Sequence, residues 1–278
     1  MSLNKTQIAV IAGSLILIVL LLFANTKPLP KDKVNGSEHA GNSNAKGPEI
    51  EALVQHAVDG LKTDQKQKMK ALDEATRTAP DKKTAFENII NAWDSLGQPD
   101  AAAYYAEQAS KASGTEQNWQ EAGNRYYAAT QFAKEGGKQV LFDKAIECFG
   151  KVIELNPKNV EARISLASCY VEGSSDPMKG IGMLKEIEKT DSNNVNLQLN
   201  FAFFSEKSGQ WDKAIARFEK VLKIQPDFIE AYVHLADAYE SKGDKAKAIE
   251  NLEQYKKLVD DATIKTEVQD YINKLKNS

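Results

Sequence analysis

The three histidines and two cysteines are the side chains of this sequence best suited to metal or nucleophilic chemistry. None stands at a spacing that would perform it. His56 and His234 fall within amphipathic stretches and have no second ligand arranged as in a metal motif. His39 lies in a polar, Gly/Pro-containing stretch. Cys148 and Cys169 are 21 residues apart, with no Cys-x-x-Cys or Cys/His pattern. They read as two small buried apolar residues, and would pair only if their β-carbons came within about 4.5 Å. Serine, histidine and aspartate occur outside any nucleophile-elbow context, and Gly136-Gly137 sits between helices instead of cradling a phosphate. The expectation is a non-enzymatic protein with no metal and no cofactor.

Charge narrows the partners. The formal net charge is −3, which disfavours a nucleic-acid ligand because such binding needs a basic face. A composition that is 27% charged and 42% hydrophobic is that of an ordinary globular chain.

The elements that would position a binding surface are visible as repetition. Asp-Lys-Ala-Ile-x-x-Phe-x-Lys-Val-x-x-x-x-Pro occurs at 143–157 and again at 212–226. The 69-residue offset is two periods of 34 to 35. One period beyond the second copy, Gly209, Ala214, Ile215 and Phe218 recur as Gly243, Ala248, Ile249 and Leu252. A period near 34 predicts stacked helix–turn–helix units, an all-α solenoid whose repeats contact only their neighbours.

The repeat resembles the tetratricopeptide repeat (TPR) family. Residues 229–262 carry Tyr232, Leu235, Ala236, Tyr239, Gly243, Ala248 and Leu252 at that family's spacings, with Asp260 in the proline slot. Residues 195–228 carry Phe201, Ala202, Gly209, Ala214, Phe218 and Pro226, with Ser205 in the tyrosine slot. Residues 160–194 carry Leu166, Ala167 and Tyr170, then one extra residue through Ser174–Pro177, with Lys179 or Gly180 replacing alanine. Residues 116–159 carry Trp119, Ala122, Gly123, Tyr126, Ala145, Phe149 and Pro157, with ten extra residues around Lys134–Gly137. A weaker repeat spans 83–115, with Trp93, Gly97, Ala102, Ala106 and Ala109, and residues 263–278 form a capping helix. The resemblance implies a right-handed TPR superhelix over 83–262 that binds protein without doing chemistry.

In that family the first helix of each repeat lines the concave face. Carried over by register, the protein-binding groove would contain Ile164, Ser168, Val171, Leu199, Phe203 and Val233, with Glu161, Glu206, Glu230, Asp237 and Glu240 around them. Gln117, Gln120, Asn124 and Tyr127 would extend it toward the N-terminus. An apolar floor with an acidic rim suits a peptide or helix with apolar anchors and basic flanks. The bland alternative is a solvated acidic face over aliphatics covered by the array itself. Phe203 and Phe204 are adjacent on one helix, so they cannot share one buried direction. The carboxylate clamp of chaperone-binding relatives is absent, because its Lys and Asn slots hold Ile164, Ser168, Leu199, Phe203, Val233 and Asp237.

Upstream, residues 8–24 are 17 consecutive uncharged, mostly aliphatic residues, predicting a single transmembrane helix within 1–24. A cleaved signal peptide is the rival, but Phe23 and the length of the run argue against it. The flanking lysines, Lys5 before and Lys27, Lys31 and Lys33 after, favour a cytoplasmic domain. The free amino terminus on a short tail, and the usual layout of single-span anchors, favour the periplasmic side of an inner membrane. The expectation is periplasmic, with the cytoplasmic orientation as the alternative. Residues 25–48, rich in Pro, Gly, Asn, Ser and Lys, form a flexible linker. Residues 49–82 hold one long helix running from Pro48 to Ala79, either a cap on the first repeat or a surface for self-association.

Overall fold

The structure, a computed structural model, describes residues 49–133 and 136–277. The expected span at 8–24 and the linker at 25–48 lie outside the described residues. The chain divides into two compact units, 1–45 and 46–278, and only the second is described here. Among the described residues every regular element is a helix, and none is long and apolar enough to cross a membrane.

Ten helices pair as antiparallel hairpins: α3 (Lys82–Ser95) with α4 (Pro99–Ser113), α5 (Glu116–Ala129) with α6 (Gly137–Leu155), and α7 (Val160–Gly173) with α8 (Pro177–Thr190). The last two pairs are α9 (Val195–Lys207) with α10 (Trp211–Ile224) and α11 (Glu230–Ser241) with α12 (Lys245–Leu258), and α13 (Ala262–Asn277) closes the stack on α12. From α2 onward each helix also packs on the next in sequence, which makes a solenoid of the TPR type.

Local chemistry sets the boundaries. Asp81, Thr115, Asn159, Asp176, Asn194 and Asp244 each accept a hydrogen bond from a backbone N–H in the first turn they precede. Hairpins α3/α4, α9/α10 and α11/α12 turn through Gly97, Gly209 and Gly243, all at positive φ. There the following N–H reaches back to the carbonyl of Trp93, Ser205 or Tyr239, so the left-handed glycine terminates the first helix. The repeated alanines sit where helices touch: Ala202, Ala214 and Ala248 are fully buried. Gly180 replaces alanine in α8 for a stricter reason. A β-carbon there would lie 2.3 Å from the Ala167 carbonyl oxygen of α7.

The single helix expected over 49–79 is instead two, α1 (Ile50–Asp59) and α2 (Thr63–Thr78). The break at Gly60–Lys62 redirects the chain between different partners. α1 packs on α4 and α6, whereas α2 packs on α3. Ile50 is buried among Ala103, Ala106, Ala122 and Tyr126, and Met69 joins the core of Phe86, Ile89 and Trp93. Val54, Val58, Leu61 and Leu72 are half-buried against that second core, so the stripe considered for self-association packs in part within the chain. The lengthened second hairpin contributes to this docking. α6 has 19 residues, and its first residue Gly137 lies against the Leu53 side chain of α1.

Candidate functional site

The first helices α5, α7 and α9 share one depression. Asn124 and Tyr127 of α5, Glu161, Ile164 and Ser168 of α7, and Leu199 and Phe203 of α9 enclose one cavity of about 250 Å3. Phe149, Ser165, Asn196 and Asn200 complete its wall. Phe149 reaches it because Gly123 leaves no side chain in the way; a β-carbon there would sit 2.6 Å from the Phe149 ring.

The residues around this cavity are tied to one another from helix to helix. Tyr127 donates its hydroxyl to Glu172, whose other oxygen meets Lys207 at 3.2 Å. Asn196 donates to Glu161 at 2.8 Å, and the Ser168 hydroxyl has two acceptors for its one proton, the Ile164 carbonyl oxygen at 3.0 Å and Asn200 Oδ1. Burial, then the neighbouring Glu172, pushes the Tyr127 phenol up. Ile164 and Ser168 are buried rather than open floor, since α9 closes over them. Val171 is a correction of another kind. Its side chain lies against Gly180, inside its own hairpin and not on the groove. Gln120 bonds Asn124 at 3.1 Å beside the cavity without lining it.

Farther along, Glu206, Glu230, Val233 and Asp237 lie beyond this cavity, on α9 and α11. Val233 is half-buried against the C-terminal core, and Glu230 stands close enough to Tyr255 of α12 to raise its phenol, an effect in which burial leads. Phe203 and His234 join the two helices. His234 stacks on Phe218 with centroids 4.9 Å apart, and Phe203 meets the His234 ring edge-on at 5.0 Å while staying 39% exposed. Phe204 points elsewhere, into the core beneath α7 and α8.

Glu206 is unusual in this surface. One carboxyl oxygen lies 3.9 Å from His234 Nδ1; the other, Oε1, is buried and meets no donor among the described residues. Burial first, and Asp237 second, push its pKa up to about 8, while burial holds His234 down at about 4. Asp237 is raised by burial and by Glu240, which itself accepts a hydrogen bond from Tyr271 at 2.7 Å. The pair Glu206–His234 is therefore neutral near pH 7, a carboxylic acid beside a neutral imidazole.

A second concavity, about 650 Å3, lies between α3, α4 and α5 and includes Phe86, Ile90, Ala106 and Gln117. Its arginine, Arg125, is already held by Asp94 at 3.0 Å and Glu121 at 2.8 Å. The two cysteines are free, buried thiols in one core, and burial raises both pKa values. Among the described residues no group of His, Cys, Asp and Glu is gathered to hold a metal.

Asn196, Asn200, Glu172 and Lys207 were not among the expected site residues. The register that picks Glu161 and Glu230 from their repeats also points to Asn196 in its own, so that one was within reach of the sequence. Glu172 and Lys207 depend on how far neighbouring helices are rotated, which no spacing states.

Comparison with known proteins agrees on the class. A tetratricopeptide repeat family model matches residues 141–159, and a family model described as regulator of microtubule dynamics protein 1-3 matches residues 197–276. A TPR protein from Parabacteroides merdae is similar at 17% identity, covering 82% of this chain and 87% of its own, with a TM-score of 0.53. TTC0263, a TPR protein of Thermus thermophilus, is 19% identical over 69% of this chain and 97% of its own, at a TM-score of 0.49. YrrB, a TPR protein with an unusual peptide-binding site, is 17% identical over 72% of this chain and 98% of its own, at 0.41. No curated protein matches the chain. The fold is that of a TPR-type solenoid, and the chain is similar to these proteins at the level of fold.

Proposed function

We propose that this chain is a protein-interaction scaffold that holds a peptide or helix of a partner along the inner face of a right-handed TPR superhelix. The observation that carries the reading is the cavity shared by α5, α7 and α9, which brings seven register-chosen residues from three repeats into one wall. Its Leu199 and Phe203 offer apolar contact, and Asn124, Asn196 and Glu161 at its wall offer polar groups, the mixture that suits a polypeptide. Tethering by residues 8–24 and a 25–48 linker would place this surface beside an inner membrane, on the periplasmic side, in a role such as complex assembly or protein export. The fold and its relatives speak for binding; the anchor and its side rest on the sequence alone.

Crosslinking and affinity capture from membranes, with the full chain and its Leu199→Glu variant, test this. The variant should lose its principal partner while keeping the helical spectrum of the parent. An unchanged partner profile would sink the groove assignment.

A further inference from the structure

Carboxylates on or under the packed faces of this solenoid are generally given donors by the fold. Glu107, almost fully buried, accepts from Tyr126 at 2.6 Å and from Lys111 at 2.8 Å. Burial alone would raise its pKa, but the Lys111 and Tyr126 hydrogen bonds hold it below the usual carboxylate range. Glu172 has Tyr127 and Lys207, and Glu188 has Arg217. Glu206 departs from this pattern. Its Oε1 is buried without a donor, although an unmet buried acceptor is costly. The nearest lysine in sequence, Lys207, is turned to Glu172.

Phe203 is one turn earlier on the same face of α9 and carries an exposed edge. Across the seam, α11 presents His234, Asp237 and Glu240, with Tyr271 of α13 on Glu240. Among the described residues the cation-capable group that faces Glu206 is His234, which burial keeps neutral.

We infer that the seam between α9 and α11 is a subsite that takes a lysine or arginine side chain of the bound polypeptide, its aliphatic stem on Phe203 and its cation on the Glu206 and Asp237 carboxyls. This rests on the groove reading above and names the chemistry that one part of the groove selects. A long basic side chain matches both halves of the seam, because its stem is apolar and its head supplies several donors. A partner cation set against the accessible part of the Glu206 carboxyl favours the ionised acid, so binding releases a proton from Glu206. Affinity therefore rises as pH climbs toward about 8, the value at which free Glu206 ionises, and levels off above it.

The test is selection of a displayed library of random twelve-residue peptides on the full chain in detergent, followed by titration of the recovered peptides. Recovered peptides should carry Lys or Arg next to an apolar residue. The isosteric double variant Glu206→Gln, Asp237→Asn should weaken them by about tenfold or more at pH near 8.5, and should flatten the rise in affinity between about pH 6.5 and 9. Both substitutions relieve buried acids, so the variant should keep the parent's helical circular-dichroism spectrum. Peptides that are lost with Leu199→Glu but carry no basic residue, or that ignore the double variant, overturn the subsite and leave the groove standing. Recovery of no peptide, or of peptides indifferent to Leu199→Glu, overturns the groove and the subsite with it.

Discussion

The seam between α7 and α9 and the seam between α9 and α11 join the same kinds of helices in the same order, yet they are finished differently. Across the first, Glu161 meets Asn196, Ser168 meets Asn200, and Glu172 meets Lys207. Across the second, the carboxyl of Glu206 stands 3.9 Å from a neutral imidazole and keeps one buried oxygen unmet. In a repeat array the packing residues must recur, because every interface reuses them. The polar residues of the first helices are free to differ. Where they answer one another they lock the seam, and where they do not, the seam holds a demand that a partner can meet.

The largest test of this contrast strikes the scaffold beneath the closed seam. Gly180→Ala puts a β-carbon 2.3 Å from the Ala167 carbonyl oxygen and 2.7 Å from Val171, so α8 must move off α7. We expect a loss of about 3 kcal/mol, the upper part of the overpacking range, read as a fall in the denaturant midpoint. A midpoint unchanged from the parent would mean that the hairpin does not need the close approach.

Glu206→Gln comes next, with the opposite sign. A carboxyl whose folded pKa is raised from 4.5 to about 8 contributes its full share of stability below the unfolded value and loses it as pH rises through 8. The variant should match the parent near pH 4 and exceed it at alkaline pH. The gain there should be about 2 kcal/mol, less than the full shift would give because the side chain keeps 15% exposure. Comparing the two proteins at each pH cancels the separate loss from His234, which must take a proton as the chain unfolds in acid. A variant no more stable at about pH 9 than at pH 4, relative to the parent, would show that Glu206 finds a donor after all.

Much of this scaffold is legible in the residues, and the reason is steric. Ala214, Phe218, Ala248 and Leu252 recur because two antiparallel helices approach closely and a large side chain must fill the space between hairpins. Gly180 stands out in the sequence as a departure from alanine, and the structure supplies the backbone contact that demands it. The break at Gly60 was harder to read. Val54, Ala57, Met69 and Leu72 lie nearly on one stripe, and nothing in that stripe says that its halves face different partners. The site was legible only as positions. Register picked out Leu199 and Phe203, which line the cavity, but it could not tell that Ile164 and Ser168 lie beneath α9 or that Val171 turns into its own hairpin. Those outcomes depend on the rotation between neighbouring repeats, a sum of many contacts that leaves no short pattern.

The smallest effect gives the sharpest comparison, because its sign is the prediction. Ser168 is buried at the closed seam, and its hydroxyl proton is shared between two acceptors, the Ile164 carbonyl oxygen and Asn200 Oδ1. Ser168→Ala removes a group of small volume and leaves no charge behind, so its consequence is confined to the hydrogen bonds lost. Asn200 still donates to the Asn196 carbonyl at 2.8 Å, which keeps its side chain in place while its own oxygen loses a partner. The expected cost is about 1 kcal/mol, independent of pH between about 5 and 9 because no titrating group takes part. Neutralising a polar group at the open seam should therefore stabilise the chain, while deleting one at the closed seam should weaken it. If Ser168→Ala were neutral or stabilising by chemical denaturation, the two seams would be alike, and the unmet acid of Glu206 would lose its standing as the exception.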